Sequence, residues 1–222
     1  MKALVKHIVA RTYQPWVKKY LTKTRHYRYG RLSLEIPPQV FHPGFFFSTK
    51  LLLSHIKKMP LKGRLLLELG CGSGLISLEA ARQGALVTAS DINPVAITTL
   101  KKNGGRNNIS LTVVESDLFN QIPTASFDII AINPPYYKKD PGSYAEQAWF
   151  CGTNGEYFQR LFQQLPGYML PNTTVLMVLF DGCDMEMINA YAAAEHLFLR
   201  PVVRKKNLLE ENTIYQVEKI SK

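Results

Sequence analysis

After Gly63 the chain falls into a repeated rhythm: a short apolar run, a turn, then a stretch with helical spacing. Residues 65–69 are apolar except for Glu68, and a glycine turn leads into a helix over about 75–82. A second strand is predicted over 86–90, ending at Asp91, and Pro94 suits the first turn of a helix reaching about Lys102. Residues 111–114 give a third strand ending near Asp117, and 127–132 a fourth. A helix over about 156–165, a fifth strand over 174–180 and a helix over about 184–195 follow. Two last runs, near 198–204 and 213–219, have only a polar stretch between them, which predicts an antiparallel hairpin. Strands alternating with helices build right-handed parallel crossovers. The expected fold class is α/β, a doubly wound, mostly parallel seven-stranded sheet with an antiparallel C-terminal hairpin.

The segment before that rhythm reads differently. Residues 2–20 have helical spacing in Leu4, Ile8 and in Val5, Val9, interrupted around Pro15. Over 31–36, Leu32, Leu34 and Ile36 alternate with Arg31, Ser33 and Glu35, the mark of a half-buried strand. Residues 48–57 look helical, with Ser48 available as the cap. The expected division is a short basic N-terminal extension over 1–47, a helix plus a strand and lid, and one α/β domain over 48–222.

The 222 residues, 46% of them hydrophobic, exclude a disordered chain, and no apolar run nears the roughly 18 residues of a bilayer-spanning helix. A soluble domain in a reducing cytoplasm is expected. Cys71, Cys151 and Cys183 are too scattered for a disulfide framework, and no Cys/His spacing suggests a metal site. The first ten residues carry Lys2, Lys6 and His7 and build no secretory apolar core; a transit peptide fits poorly with the aromatics beyond them. Net charge is +10, and residues 1–64 hold 14 bases against one acid. Within 1–31, nine bases interleave with Tyr13, Trp16, Tyr20, Tyr27 and Tyr29. Such a mixture grips phosphates and stacks on bases, or it is a solvated helix whose rings pack on the domain beneath. An anionic partner, nucleic acid or ribosome, is one expectation.

In doubly wound sheets ligands sit beyond the carboxyl ends of the strands. The first core strand ends there as Glu68-Leu69-Gly70-Cys71-Gly72-Ser73-Gly74. Its glycines let backbone approach a ligand and open a helix whose amides face it. A dinucleotide fingerprint would need a third glycine at position 75, which is Leu75, and a carboxylate beside the turn suits a cation better than a pyrophosphate. A nicotinamide-dependent oxidoreductase is thereby disfavoured.

Over residues 49–219 the chain resembles the class I S-adenosylmethionine-dependent methyltransferases, whose Rossmann-like fold and acid-x-G-x-G-x-G motif match Glu68 to Gly74. The resemblance implies that Glu68 orients the methionine amino group and that the Gly70 and Gly72 backbone cradles the cofactor. Asp91 would take the ribose hydroxyls, and Asp117 with the Leu118 amide would read the adenine.

The fourth strand ends in Asn133-Pro134-Pro135-Tyr136. An amide nitrogen, or the exocyclic amine of a base, is a poor nucleophile because its lone pair is delocalised. Acceptors on both its hydrogens, here the Asn133 side-chain oxygen and the Pro134 carbonyl, would aim that lone pair at an electrophilic carbon. Such orientation is worth up to roughly 7–11 kcal/mol. Paired prolines fix the carbonyl directions and Tyr136 can stack on a planar acceptor. No general base is needed before transfer. The tetrapeptide resembles that of enzymes methylating release-factor glutamines, adenine N6 or cytosine N4, with N-P-P-F in some guanine-N2 RNA enzymes. Residues 41–52 are similar to the lid and helix of the release-factor glutamine methyltransferases, in which Thr49 would touch the cofactor. Lys50 replaces that group's acid, and the basic first 60 residues are shorter than its helical domain. Gly152 and Gly155 are similar to the glycine loop that follows N-P-P-Y there.

The expected function is therefore S-adenosylmethionine-dependent N-methylation of a planar nitrogen, foremost a glutamine side chain of a translation factor. The alternatives are adenine-N6 or guanine-N2 methylation of ribosomal or transfer RNA, and a non-enzymatic RNA-binding module on the same fold.

Overall fold

In the computed structural model, residues 20–123, 126–208 and 210–220 are described, so the helix predicted over 2–20, but for its last residue, and most of the basic arm lie outside the described residues. The described chain begins with an antiparallel hairpin, β1 (Arg25–Tyr29) and β2 (Leu32–Ile36), in which Tyr27 faces Leu34. Helix α1 (Phe47–Ile56) leads into the core sheet. Its elements run β3 (Leu65–Leu69), α2 (Leu75–Arg82), β4 (Leu86–Asp91), α3 (Pro94–Arg106), β5 (Thr112–Glu115) and β6 (Ile129–Ile132). They continue with the short α4 (Tyr144–Gln147), α5 (Glu156–Gln164) with its 3-10 extension Leu165–Tyr168, β7 (Thr174–Phe180), α6 (Met185–Ala194), β8 (Leu197–Lys206) and β9 (Glu211–Lys219).

The seven strands lie in the order β5-β4-β3-β6-β7-β9-β8. β3 pairs in parallel with β4 on one side and β6 on the other, Glu68 facing Ala89 and Ala131. Beyond β7 the pairing turns antiparallel, and the register of β8 slips between Pro201 and Val203, where proline has no amide to donate. The apolar runs of β3, β6 and β7 are buried on both faces, as parallel strands covered by helices must be. Leu66 joins the core beneath α1, α2 and the hairpin, whereas Leu67 and Leu69 join the core beneath α5 and α6.

Three local expectations change. Helix α1 starts at Phe47, so Ser48 lies inside it, buried, and does not cap it; Phe46, packed on Phe41 and Trp149, fixes the start instead. Helix α3 continues past Lys102 to Arg106 because Asn103 and Asn107 are used on the edge of β2. The Asn103 side chain exchanges two bonds with the Glu35 backbone (2.9 and 3.0 Å), and Asn107 does the same with Ser33 (2.9 and 2.9 Å). β1 replaces part of the expected basic arm, and its Tyr27 and Tyr29 pack against the core.

Leu32, Leu34 and Ile36 of the hairpin share the core of the sheet. Truncating a fully buried leucine costs about 2–5 kcal/mol. Leu34→Ala should therefore lower the unfolding free energy by that amount in a single denaturant transition; a separate early transition would show that the hairpin folds alone.

Candidate active site

The site grows from the turn after β3. Gly70 has φ +75, the left-handed region, and a Cβ there would meet no atom within 4 Å, so bare backbone faces open space. The carbonyl of Ser90 accepts from the Gly70 amide (2.9 Å) and the Cys71 amide (2.8 Å). Gly72 donates its amide to Asp91 Oδ2 (2.8 Å), and Asn93 donates to Oδ1 (2.9 Å). The turn is thus held by two consecutive residues of β4.

Glu68 lies behind that turn at 6% exposure. Its Oε2 accepts from the Ser77 amide (2.8 Å) and from the Ser77 hydroxyl. Burial nevertheless lifts its carboxyl to about 8, against the opposing effect of Ser77. Burial also raises Asp91, although the Asn93 and Gly72 amides oppose it. Among the described residues no cation pairs with either acid. A donor set of two desolvated carboxyls above an open glycine turn fits a ligand that carries positive charge and hydroxyls. Asp117, just beyond β5, pairs with Arg160 of α5, and its amide donates to Gln121 Oε1 (3.2 Å). Leu118 adopts φ +51, its carbonyl accepting from the Ser116 hydroxyl (2.7 Å).

At the end of β6, Asn133 Nδ2 donates to Thr49 Oγ1 of α1 (3.1 Å). No described residue donates to Asn133 Oδ1. The amides of Tyr136 and Tyr137 both donate to the Trp149 carbonyl (3.2 and 2.9 Å). Cys151 donates back to the Tyr137 carbonyl (2.9 Å) and Gly152 to that of Lys139 (3.1 Å). The excursion between them, which contains α4 capped by the Ser143 side chain, is therefore stapled at its base. The Tyr136 ring packs on Phe180 at 4.5 Å, and burial pushes its phenol far up. Phe41, Phe46 and Trp149 form an aromatic group with centroids 4.3–5.1 Å apart.

These parts surround one cavity of about 460 Å³, in the range of small-molecule sites. Thr49, Glu68, Gly70, Gly72 and Asp91 line it, and so do Asp117, Leu118, Asn133, Pro134 and Tyr136. Gly152 lines it as well; Gly155 instead opens α5, at φ +78. The sequence reading missed Arg160 and Tyr157, which line the cavity from α5, and the hydroxyl of Ser77 beneath Glu68. Of the aromatic group, Phe41 and Phe46 fall within the lid-like segment 41–52, whereas Trp149 carries no local signal. Among the described residues no group of His, Cys, Asp or Glu could hold a metal ion, and no helix is long and apolar enough to cross a membrane.

Sheet order and cavity together define a Rossmann-like fold with its site at the switch point between β3 and β6. A family model, the methyltransferase small domain, matches residues 35–152, and the chain belongs to that family of methyltransferases. Across 144 residues the chain is 35% identical to a Methanocaldococcus jannaschii protein, named provisionally as a protein N5-glutamine methyltransferase. That match covers 62% of this chain and 71% of the relative. A release factor glutamine methyltransferase of Lactococcus lactis is 32% identical over 139 residues, 62% of this chain and 50% of the relative, so the chain spans about half of that protein. In fold, the chain resembles the T. thermophilus 16S rRNA N2 G1207 methyltransferase in complex with AdoMet and guanosine. The TM-score is 0.63 at 20% identity, over 89% of this chain and 50% of that one.

Glu68 makes stability depend on pH in a definite direction. Its folded pKa of about 8 lies above the ordinary 4.5, so the folded chain keeps a proton that the unfolded chain releases. The Glu68 contribution to stability is fully present below about pH 4.5 and is lost as pH rises to about 8, by at most about 1.4 kcal/mol per unit. Glu68→Gln should remove that slope between pH 5 and 8, measured by denaturant unfolding at each pH; an unchanged slope would place the titration elsewhere.

Proposed function

We propose that this chain transfers a methyl group from S-adenosylmethionine to the side-chain nitrogen of a glutamine in a translation factor. The cofactor is S-adenosylmethionine, which supplies an electrophilic methyl carbon on a sulfonium sulfur. Glu68, desolvated and without a cationic partner among the described residues, binds its amino group, and Gly70 and Gly72 carry its chain on bare backbone. Asp91 accepts from the ribose hydroxyls, while Asp117 and the Leu118 amide hold the base.

The observation that carries the acceptor side is the Thr49–Asn133 hydrogen bond. It consumes an Asn133 N–H and fixes the amide plane, so Oδ1 remains to accept from the acceptor nitrogen. The Pro134 carbonyl takes the second hydrogen, and the two prolines hold its direction. Gripped in this way, the nitrogen presents its lone pair to the methyl carbon. As the C–N bond formed, the methyl–sulfur bond would break with its electron pair returning to sulfur, leaving a neutral thioether. One of the two hydrogens held by Asn133 and Pro134 would leave the nitrogen as a proton to water. Tyr136, its ring fixed against Phe180, closes one side of the slot.

The similarity to two glutamine methyltransferases supports a protein acceptor, and the reading of a translation-factor substrate carries with it that of a cytoplasmic enzyme. The guanine amine of ribosomal RNA is the second reading, favoured by the 14 bases among residues 1–64. Incubation with methyl-labelled cofactor and either release factor, transfer RNA or ribosomes separates them. Label in a glutamine of the release factor is expected; label in RNA alone would overturn the glutamine acceptor.

Asn133→Ala should lower kcat by about 10³ or more, roughly 4 kcal/mol in the barrier, and leave cofactor affinity within about threefold. Titration calorimetry alongside the label assay checks both. Loss of cofactor binding as well would make Asn133 structural.

A further inference from the structure

We propose that Arg160 is a positioning residue that sets the cofactor's base by holding Asp117. This rests on the reading above, in which Asp117 accepts from the exocyclic amine of adenine. Arg160 and Gln164 stand one turn apart on the same face of α5. Arg160 donates to Asp117 Oδ2, and Gln164 Oε1 accepts from the Phe119 amide at 3.0 Å. One turn further on, Tyr168 donates its hydroxyl to the Ile122 carbonyl (2.7 Å) and stacks on Phe119 at 4.4 Å. Helix α5 and its extension therefore grip the turn over 116–122 by side chain, amide and carbonyl together. That turn needs holding, because Leu118 sits at φ +51, a conformation that a residue with a Cβ adopts only under constraint.

Stability does not account for the arginine. The Asp117 and Arg160 side chains are 36% and 44% exposed, and ion pairs at that exposure contribute little to folding. What the contact does is geometric. A carboxylate on an unpaired strand end rotates among rotamers, whereas a planar guanidinium on one oxygen fixes its plane and leaves the other oxygen for a donor in the cavity. Both residues line that cavity. The helix that carries Arg160 begins at Glu156, shortly after the stapled excursion beside Asn133, so cofactor and acceptor sides share one strut.

The test compares two ligands that differ only at the base edge Asp117 would read. S-adenosylhomocysteine carries an amine there; S-inosylhomocysteine carries a carbonyl oxygen, which repels a carboxylate. Titration calorimetry with the full chain should show the wild type preferring the adenosyl compound about tenfold or more. Arg160→Ala should reduce that preference below about threefold by weakening the adenosyl compound, and Arg160→Lys should restore part of it. The melting temperature of both variants should move by no more than about 4 °C. Equal weakening of both compounds, or an unaltered preference, would overturn the role of Arg160. Equal binding by the wild type would overturn the assignment of Asp117 and this inference with it. Failure of the wild type to bind S-adenosylhomocysteine would instead overturn the cofactor reading itself.

Discussion

Two neighbouring residues of β4 hold three neighbouring amides of the turn after β3, and the site is arranged around that grip. Ser90 spends its carbonyl on Gly70 and Cys71, and Asp91 spends one carboxylate oxygen on Gly72. Those bonds end the ladder between the two strands at the Leu69–Ser90 pair. The Asp91 carbonyl then takes the Ser116 amide (2.9 Å), so the same strand end also sets where β5 stops. Three strand ends are tied to one another, and the cleft between β3 and β6 is what the tying leaves open.

Behind the turn lies a buried acid for which the described residues supply a serine and no cation. A desolvated carboxyl is unfavourable without a partner, and Ser77 compensates only in part, since the group stays well above its ordinary range. A chain selected for stability alone would place an amide or an aliphatic residue there. Retaining the acid makes sense when a positive ligand completes the pair, and perturbed groups of this kind concentrate at functional sites.

Much of this was legible from residue order. The runs 65–69 and 174–180 are apolar but for Glu68 and the leading Thr174, and their shortness together with the flanking turns suits a strand buried on both faces. Strand ends follow from strand starts, which is why Glu68, Asp91, Asp117 and Asn133 could be placed at one edge of the sheet. What stayed hidden depends on partners remote in sequence. β1 is written Arg-His-Tyr-Arg-Tyr, and its tyrosines are partly buried only because the core lies beneath them. Helix α3 outlasts its apolar pattern because Asn103 and Asn107 are satisfied by β2, 68 and 74 residues earlier in the chain. The Arg160–Asp117 contact spans 43 residues and leaves no local periodicity to read.

The excursion after Tyr137 is closed at its neck by backbone bonds from Tyr136, Tyr137, Cys151 and Gly152. Closing a longer loop costs only about 0.6 kcal/mol for each doubling of its length. Residues within the neck can therefore be inserted, deleted or exchanged while the tetrapeptide keeps its shape. Diversification of what enters the slot can proceed there without disturbing the reacting groups, much as a tool holder accepts different bits on an unaltered spindle.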